Sequence, residues 1–141
     1  MRIIAVSGGF DPIHSGHLAM LRQAAALGDR LVVGVNSDAW LTRKKGKPFM
    51  DIEERKAILL AIKWVDSVWE FDDSDGSACD FLDKVKKYYY TRASDFVFAN
   101  GGDRNESNNA ELDVPGWKFM YGVGGSDKKN SSSVLLRNWN E

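Results

Sequence analysis

The stretch "SGGFDPIHSGHLAML", residues 7–21, lies where an apolar run gives way to an amphipathic segment. The run before it, residues 2–7, is short, rich in β-branched residues and closed by a glycine pair, which predicts a buried strand. The apolar stripe of residues 15–27 predicts a helix that stops at Gly28. A strand-to-helix turn needs only a capping residue and a glycine, so two glycines and two histidines indicate a further role.

The rest of the chain alternates between apolar runs and amphipathic segments. Strands are predicted at residues 30–36, 67–71, 95–100 and 117–122, and helices from Ser37, from Asp51 (with Glu54 as a capping box) to about Ile62, over 77–89 and over 131–139. Residues 42–49, "TRKKGKPF", are interpreted as a basic loop. Strands separated by helices predict parallel β-α-β units. We therefore expect an α/β fold, a doubly wound parallel sheet of about five strands, in a single domain over residues 1–141.

The composition limits the class of protein. The chain has 141 residues, 43% hydrophobic and 28% charged, with a formal net charge of −1, which is typical of a globular domain without a broad nucleic-acid surface. Cys79 is the only cysteine, so no intrachain disulfide is possible and a reducing compartment is expected. No signal peptide or membrane-spanning stretch is recognisable. These features predict a cytoplasmic protein.

Ligand-binding residues are expected at one edge of this sheet. In doubly wound sheets, ligands bind beyond the carboxyl ends of the strands. The residues that follow the predicted strands at this edge are Gly8, Gly9, Asn36, Gly101, Gly102, Asp103 and the glycines of residues 122–125. Backbone N–H groups and the helix dipole at the start of the first helix favour an anion, and glycines allow a close approach of the backbone to phosphate oxygens.

His14 and His17 stand one helical turn apart at that helix start. Each can donate a hydrogen bond to a phosphoryl oxygen or carry positive charge, and Gly16 between them leaves room for a ribose or base. The turn therefore predicts a polyphosphate site. A surface coincidence and a zinc site are the alternatives, but the chain has no further histidine and Cys79 lies in a predicted helix. Neither G-x-G-x-x-G nor a Walker A sequence occurs.

The segment "GGFDPIHSGH", residues 8–17, resembles the signature of the cytidylyltransferase-like nucleotidyltransferases, whose H-x-G-H motif binds a nucleoside triphosphate. The similarity extends over nearly the whole chain, through "ALGDRLVVGVNSDAW", "ERKAILLAIKWVDSV", "NGGDR" and "NSSSVLLR". It is closest to the branches that act on glycerol 3-phosphate and heptose 1-phosphate. The resemblance implies a Rossmann-like nucleotidyltransferase fold. It also implies a reaction in which a phosphate monoester attacks the α-phosphorus of the triphosphate and pyrophosphate leaves.

The resemblance also implies a role for each matching residue. His14 and His17 hold phosphate oxygens, and Lys44 reaches the reacting phosphates, with Lys45 and Lys47 as alternates. The residues expected to bind the nucleotide are Gly8, Gly9, Phe10, Gly16, Arg55, Gly101, Gly102, Asp103, Ser131, Ser132 and Ser133. A surface salt bridge is the alternative role of the arginine, and helix capping that of the serines.

Asp11 is expected to help position a Mg²⁺ ion held by the phosphates, or else to cap backbone N–H groups as a turn carboxylate. The implied partners are a triphosphate, CTP or ATP, and a small phosphorylated acceptor, without nucleic acid or membrane, in a homodimer. Many relatives carry threonine or cysteine where this chain has Gly9, and "KYYYTRASD", residues 87–95, suggests a modified acceptor wall or a subunit contact. A nucleotide-binding module without catalytic activity is the alternative function.

Overall fold

The computed structural model describes residues 1–101, 111, 114–124 and 136. In this part of the chain the elements are β1 (Arg2–Gly8), α1 (Ser15–Ala26), β2 (Arg30–Val35), α2 (Asp38–Lys45), α3 (Ile52–Leu60), β3 (Ser67–Glu70), α4 (Cys79–Tyr88), β4 (Asp95–Ala99) and β5 (Lys118–Met120). The predicted helix over 131–139, together with Gly102, Asp103, Ser131, Ser132 and Ser133, lies outside the described residues, apart from Leu136. None of the described helices is long and apolar enough to cross a bilayer.

The five strands form one parallel sheet in the order β3-β2-β1-β4-β5, which confirms the predicted fold class. β1 lies at the centre, with Ile4 opposite Leu31 of β2 on one side and opposite Val97 of β4 on the other. The chain winds outward from β1 to β3 and then returns to the other side of β1. The carboxyl ends of β1 and β4 therefore meet at the switch point of the sheet, where such folds bind ligands.

Alternation along the strands divides the core into two layers. Ile3 and Ala5 of β1 face a layer closed by Phe81, Leu82 and Val85 of α4. Ile4 and Val6 face the opposite layer, in which Leu21 and Ala24 of α1 and Leu59 of α3 are buried. Each of these side chains is fully removed from solvent. The helices on both faces hold the strand ends at the switch point in fixed positions.

The prediction of a basic loop over residues 42–49 is wrong for its first half, because residues 42–45 form the last turn of α2. The Ser37 hydroxyl caps the start of this helix, and Asp38 lies in its first turn. Three cationic side chains occupy the last turn, where they interact favourably with the helix dipole. Gly46, with φ of 93°, ends the helix. A cluster of lysines and arginines thus marks a helix end here, and only the residues beyond it form a loop.

The boundaries of α3 and α4 differ slightly from those predicted. The Asp51 carboxylate accepts a hydrogen bond of 2.9 Å from the N–H of Glu54, as the capping pattern predicts. Ala78, the N-cap of α4, makes no side-chain cap, although the Ser77 hydroxyl accepts a hydrogen bond of 3.3 Å from the first N–H of the helix. The carboxylate of Glu111 in turn accepts a bond of 2.7 Å from the N–H of Ala78. A cap that comes from 33 residues away cannot be recognised from local sequence.

Candidate functional site

The turn between β1 and α1 is built around its two histidines. His14 is the N-cap of α1, and its Nδ1 accepts a hydrogen bond of 3.0 Å from the N–H of Gly16. The Nδ1 of His17 reaches back and accepts a bond of 3.1 Å from the N–H of His14. This is the reciprocal arrangement of a capping box, with imidazoles in the places of the usual hydroxyl and carboxylate.

These two bonds fix the tautomer of both imidazoles. An Nδ1 that accepts an N–H bond carries no proton, so the neutral ring carries its proton on Nε2. The His14 and His17 rings stack with centroids 3.9 Å apart, and the buried Phe10 ring lies 5.0 Å from the ring of His17. Two Nε2–H donors are thereby held together at the helix start. Phe10 has a positive φ of 51°, and its ring packs against that of His17.

The Asp11 carboxylate is used within the protein. Its Oδ2 accepts a bond of 2.7 Å from the N–H of Phe49, and its Oδ1 accepts one of 2.7 Å from the N–H of Met50. The Lys45 ammonium lies 2.7 Å from Oδ2, and the Asp11 side chain is only 1% exposed. Of the two roles considered for Asp11, the geometry is that of a turn carboxylate. In the described part of the chain, no three His, Cys, Asp or Glu residues are grouped so that they could hold a metal ion.

Lys44 and Lys45 make different contacts although they are neighbours in α2. The Lys45 ammonium donates to the main-chain carbonyl of Asp11 at 2.6 Å, which brings it beside the histidine turn. The Lys44 ammonium lies 4.9 Å from the centre of the Trp40 ring, and Lys47 is exposed in the loop beyond the helix. Neighbouring helix positions differ in direction by about 100°, which accounts for the different contacts of the two lysines. The structure places the Lys45 ammonium on the turn itself, and the role that the family resemblance gives to Lys44 stays a prediction.

Arg55 lies beneath the site with a side chain that is 0% exposed. Its guanidinium donates to the carbonyls of Gly9 at 3.0 Å, Asn36 at 2.6 Å and Met50 at 3.0 Å. It also pairs with the Asp38 carboxylate at 2.7 Å. Arg55 is thus buried rather than part of a surface salt bridge, and its expected contact with the nucleotide stays a prediction. This arginine joins the ends of β1 and β2 to α2, because its donors are already directed at those backbone carbonyls.

Asp73, which the sequence analysis missed, fastens the start of α2. It is 4% exposed, and its Oδ2 accepts bonds from the N–H of Ser37 at 2.8 Å and the side-chain amide of Asn36 at 3.1 Å. Its Oδ1 accepts from the Ser37 hydroxyl at 2.7 Å. The signal for Asp73 was its position just after β3, at the same edge as the other site residues. The acidic and glycine neighbours of Asp73 are typical of an exposed turn, so the local sequence does not indicate its buried role.

The loops after β4 and β5 close against α1 on the other side of the turn. Gly101 follows β4, and a Cβ there would lie 3.6 Å from the carbonyl oxygen of Val123. The N–H of Gly124 donates to the side chain of Gln23 at 3.0 Å. A Cβ at Gly124 would lie 2.8 Å from the Cα of Met20, so only glycine permits this approach. The predicted glycine-rich loops are thus brought together beside the histidine turn, as far as residues 101 and 124.

The three tyrosines of residues 88–90 lie away from this edge. α4 follows β3, so it begins near the carboxyl ends of the strands and finishes near their amino ends. Tyr88 and Tyr90 are 58% and 78% exposed there, whereas Tyr89 is buried. Their position is incompatible with a wall of the site beside His14 and His17.

A parallel sheet whose switch point carries an anion-binding helix start defines a nucleotide-binding α/β domain. Comparison with known proteins gives the family. Residues 5–113 match the family model described as Cytidylyltransferase-like, and the chain belongs to this family of nucleotidyltransferases. This result confirms the resemblance read from the H-x-G-H segment.

The curated relatives are longer proteins. The chain is 36% identical over 127 residues to the bifunctional protein HldE of Hahella chejuensis, covering 88% of this chain and 23% of that protein. It is 36% identical over 142 residues to the protein of the same name from Pseudomonas putida, covering 96% of this chain and 27% of that protein. The chain thus spans about a quarter of the length of these relatives.

Two solved structures share the fold. The lipopolysaccharide core biosynthesis protein of Thermoplasma volcanium is 24% identical, with a TM-score of 0.62 over 86% of this chain and 94% of that one. The bifunctional NMN adenylyltransferase/ADP ribose pyrophosphatase of Francisella tularensis, complexed with AMP and a manganese ion, is 18% identical. Its TM-score is 0.69 over 99% of this chain and 42% of that one. Both likenesses support the assignment of the fold.

Proposed function

We propose that this chain transfers a nucleoside monophosphate from a nucleoside triphosphate to a small phosphomonoester and releases pyrophosphate. We favour ATP over CTP and a sugar phosphate over glycerol 3-phosphate. The relatives named HldE and the sequence resemblance to the heptose-phosphate branch support this choice. The observation that carries the proposal is the pair of imidazole caps at the start of α1.

In the proposed reaction, an oxygen of the acceptor phosphate forms a bond to the α-phosphorus. The bond from that phosphorus to the oxygen bridging to the β-phosphate breaks, and pyrophosphate carries away the electron pair. No nucleophile from the protein is needed, so catalysis depends on positioning and on stabilising the charge that builds up on phosphate oxygens. His14 and His17 suit this task because their Nε2–H donors are already oriented.

Lys45 is proposed to supply the nearby cation. Its side chain is 22% exposed and sits beside the turn, paired with the Asp11 carboxylate. A triphosphate bound at the helix start would attract the same ammonium group. Magnesium enters the proposal as a partner of the triphosphate substrate, held mainly by the phosphate oxygens. The homodimer, the cytoplasmic location and the single-domain organisation remain predictions from the sequence.

Two substitutions at His17 separate its capping role from its donor role. In His17→Asn, the side-chain oxygen can replace Nδ1 and accept the N–H of His14, but no group replaces Nε2–H. In His17→Gln, the amide can place an N–H near the position of Nε2. We expect His17→Asn to keep the unfolding temperature near that of the wild type and to lose about 2–4 kcal/mol of transition-state stabilisation, roughly 30- to 900-fold in kcat/KM. His17→Gln should recover part of the rate.

Steady-state kinetics and thermal unfolding of both variants decide between the roles. Wild-type turnover in His17→Asn would show that the histidine is only a cap, and the proposed chemistry would be wrong. A wild-type protein that binds a triphosphate but forms no pyrophosphate with any of the phosphomonoesters would instead support the alternative of an inactive nucleotide-binding module.

A further inference from the structure

The second glycine of the turn is covered by α2. A Cβ at Gly9 would lie 3.0 Å from Cδ2 of Leu41 and 3.7 Å from Cζ3 of Trp40. Two large side chains of α2 therefore occupy the space where a side chain at Gly9 would project. This packing gives a physical reason for the departure from the family pattern, in which many relatives carry threonine or cysteine at this position.

The start of α2, which carries Trp40, is held beside the turn by hydrogen bonds. Its main-chain N–H donates to the Ser37 hydroxyl at 3.0 Å, and Ser37 is itself bound by the buried carboxylate of Asp73. The Trp40 side chain is only partly buried, and the ammonium of Lys44 lies 4.9 Å from its ring centre. The edge of the site thus carries a half-exposed aromatic ring with a cation above it.

The order of the strands places this pair on one side of the turn. α2 follows β2 on one flank of β1, whereas the glycine loops at Gly101 and Gly124 follow β4 and β5 on the other flank. The proposed transfer needs two substrates, with the acceptor and the leaving pyrophosphate on opposite sides of the α-phosphorus. A triphosphate bound across His14 and His17 toward the glycine loops leaves the α2 side for the acceptor.

We propose that Trp40 and Lys44 bind the organic part of the phosphorylated acceptor, a sugar or polyol. This inference rests on the proposed function. The indole offers an apolar face to the C–H groups of the acceptor, and the ammonium donates to its hydroxyl or phosphate oxygens. Trp40 and Lys44 then determine acceptor specificity, while Lys45 faces the triphosphate.

Calorimetric titration tests this assignment with two separate ligands. Binding of the ATP analogue with a methylene bridge between its α- and β-phosphates is measured first. Mannose 1-phosphate and glycerol 3-phosphate are then titrated into the saturated complex. We expect Trp40→Ala to weaken binding of the acceptor that the wild type prefers by tenfold or more, and to change the affinity for the ATP analogue less than twofold. Trp40→Phe should retain part of the affinity, and Lys44→Met should weaken acceptor binding without weakening that of the analogue.

Tyr90→Ala is the matched control, since it removes an aromatic side chain that is 78% exposed and remote from the turn. Unchanged acceptor affinity in Trp40→Ala, an equal loss for the ATP analogue, or a wild-type complex that binds neither sugar nor polyol phosphate would each overturn the inference. Trp40→Phe keeps the test valid if the alanine variant does not fold. Failure of the proposed function has a different signature, because the wild type itself would then form no nucleotide-linked product from ATP or CTP with either phosphomonoester.

Discussion

His14 and His17 cap α1 without placing a negative charge at its start. A capping box of the usual kind brings a carboxylate to this position, where it would repel a phosphate. Of the four helices in the described part of the chain, only α1 has no acidic residue in its first turn. The imidazoles satisfy the same backbone N–H groups and leave the positive end of the helix dipole available to an anion.

The neighbouring lysines of α2 should have separable effects on the reaction. Lys45→Ala removes the cation beside the histidine turn and should lower kcat by about 100- to 1,000-fold, the scale for removing one group that stabilises charge in the transition state. Lys44→Ala should act mainly through a higher KM for the acceptor, because its ammonium lies over the Trp40 ring. Steady-state kinetics with each substrate varied in turn distinguish the two. Equal losses of kcat in both variants would show that only bulk positive charge matters.

At the scale of elements, α2 depends on the buried carboxylate of Asp73. Asp73→Ala would leave the N–H of Ser37 and the amide of Asn36 without their acceptor. Such a loss costs about 1–3 kcal/mol of the free energy of unfolding. Asp72→Ala removes an exposed neighbouring carboxylate and serves as the control. Urea unfolding measures the free energy of unfolding of both variants. If Asp72→Ala lost as much stability as Asp73→Ala, the buried carboxylate would not be what fastens the start of α2.

Three strands are joined at the amino edge of the sheet by Asp95, whose carboxylate contacts Lys118 at 2.9 Å and Arg2 at 2.7 Å. These hydrogen bonds, first from Lys118 and then from Arg2, hold the pKa of Asp95 below its ordinary value. A lowered carboxyl pKa stabilises the folded state above the ordinary pKa, and the effect is lost as the pH falls through the folded-state value.

We therefore expect Asp95→Asn to unfold at a lower temperature than the wild type between about pH 5 and 7. The gap should begin to narrow below about pH 4, the ordinary pKa of the carboxyl group, and should close only when the pH falls through the lowered pKa of the folded state and the wild-type carboxylate is protonated there. Thermal unfolding across this range provides the measurement. A gap that does not change with pH would indicate a packing effect instead of the ionic contacts.

For the whole molecule, the sheet could be predicted because each strand is indicated by the residues of its own segment. Buried strands and the glycines that follow them have a clear pattern, so β1, β4 and the site edge were found from sequence alone. The hydrogen-bond partners of Arg55 and Asp73 could not be predicted, since they come from segments distant in sequence. Lys44 was preferred for its match to the family's loop lysine, whereas the contact of Lys45 with Asp11 depends on the helical turn that residues 42–45 form.

The central claim concerns the fate of the α-phosphate, and ATP labelled in that phosphate follows it directly. The protein is incubated with labelled ATP, Mg²⁺ and mannose 1-phosphate or glycerol 3-phosphate, with CTP in a parallel series. We predict that the label moves into a nucleotide-linked sugar or polyol product and that one pyrophosphate forms for each label transferred. Label recovered only as free AMP or ADP, with no product that contains the acceptor, would contradict the proposed transfer.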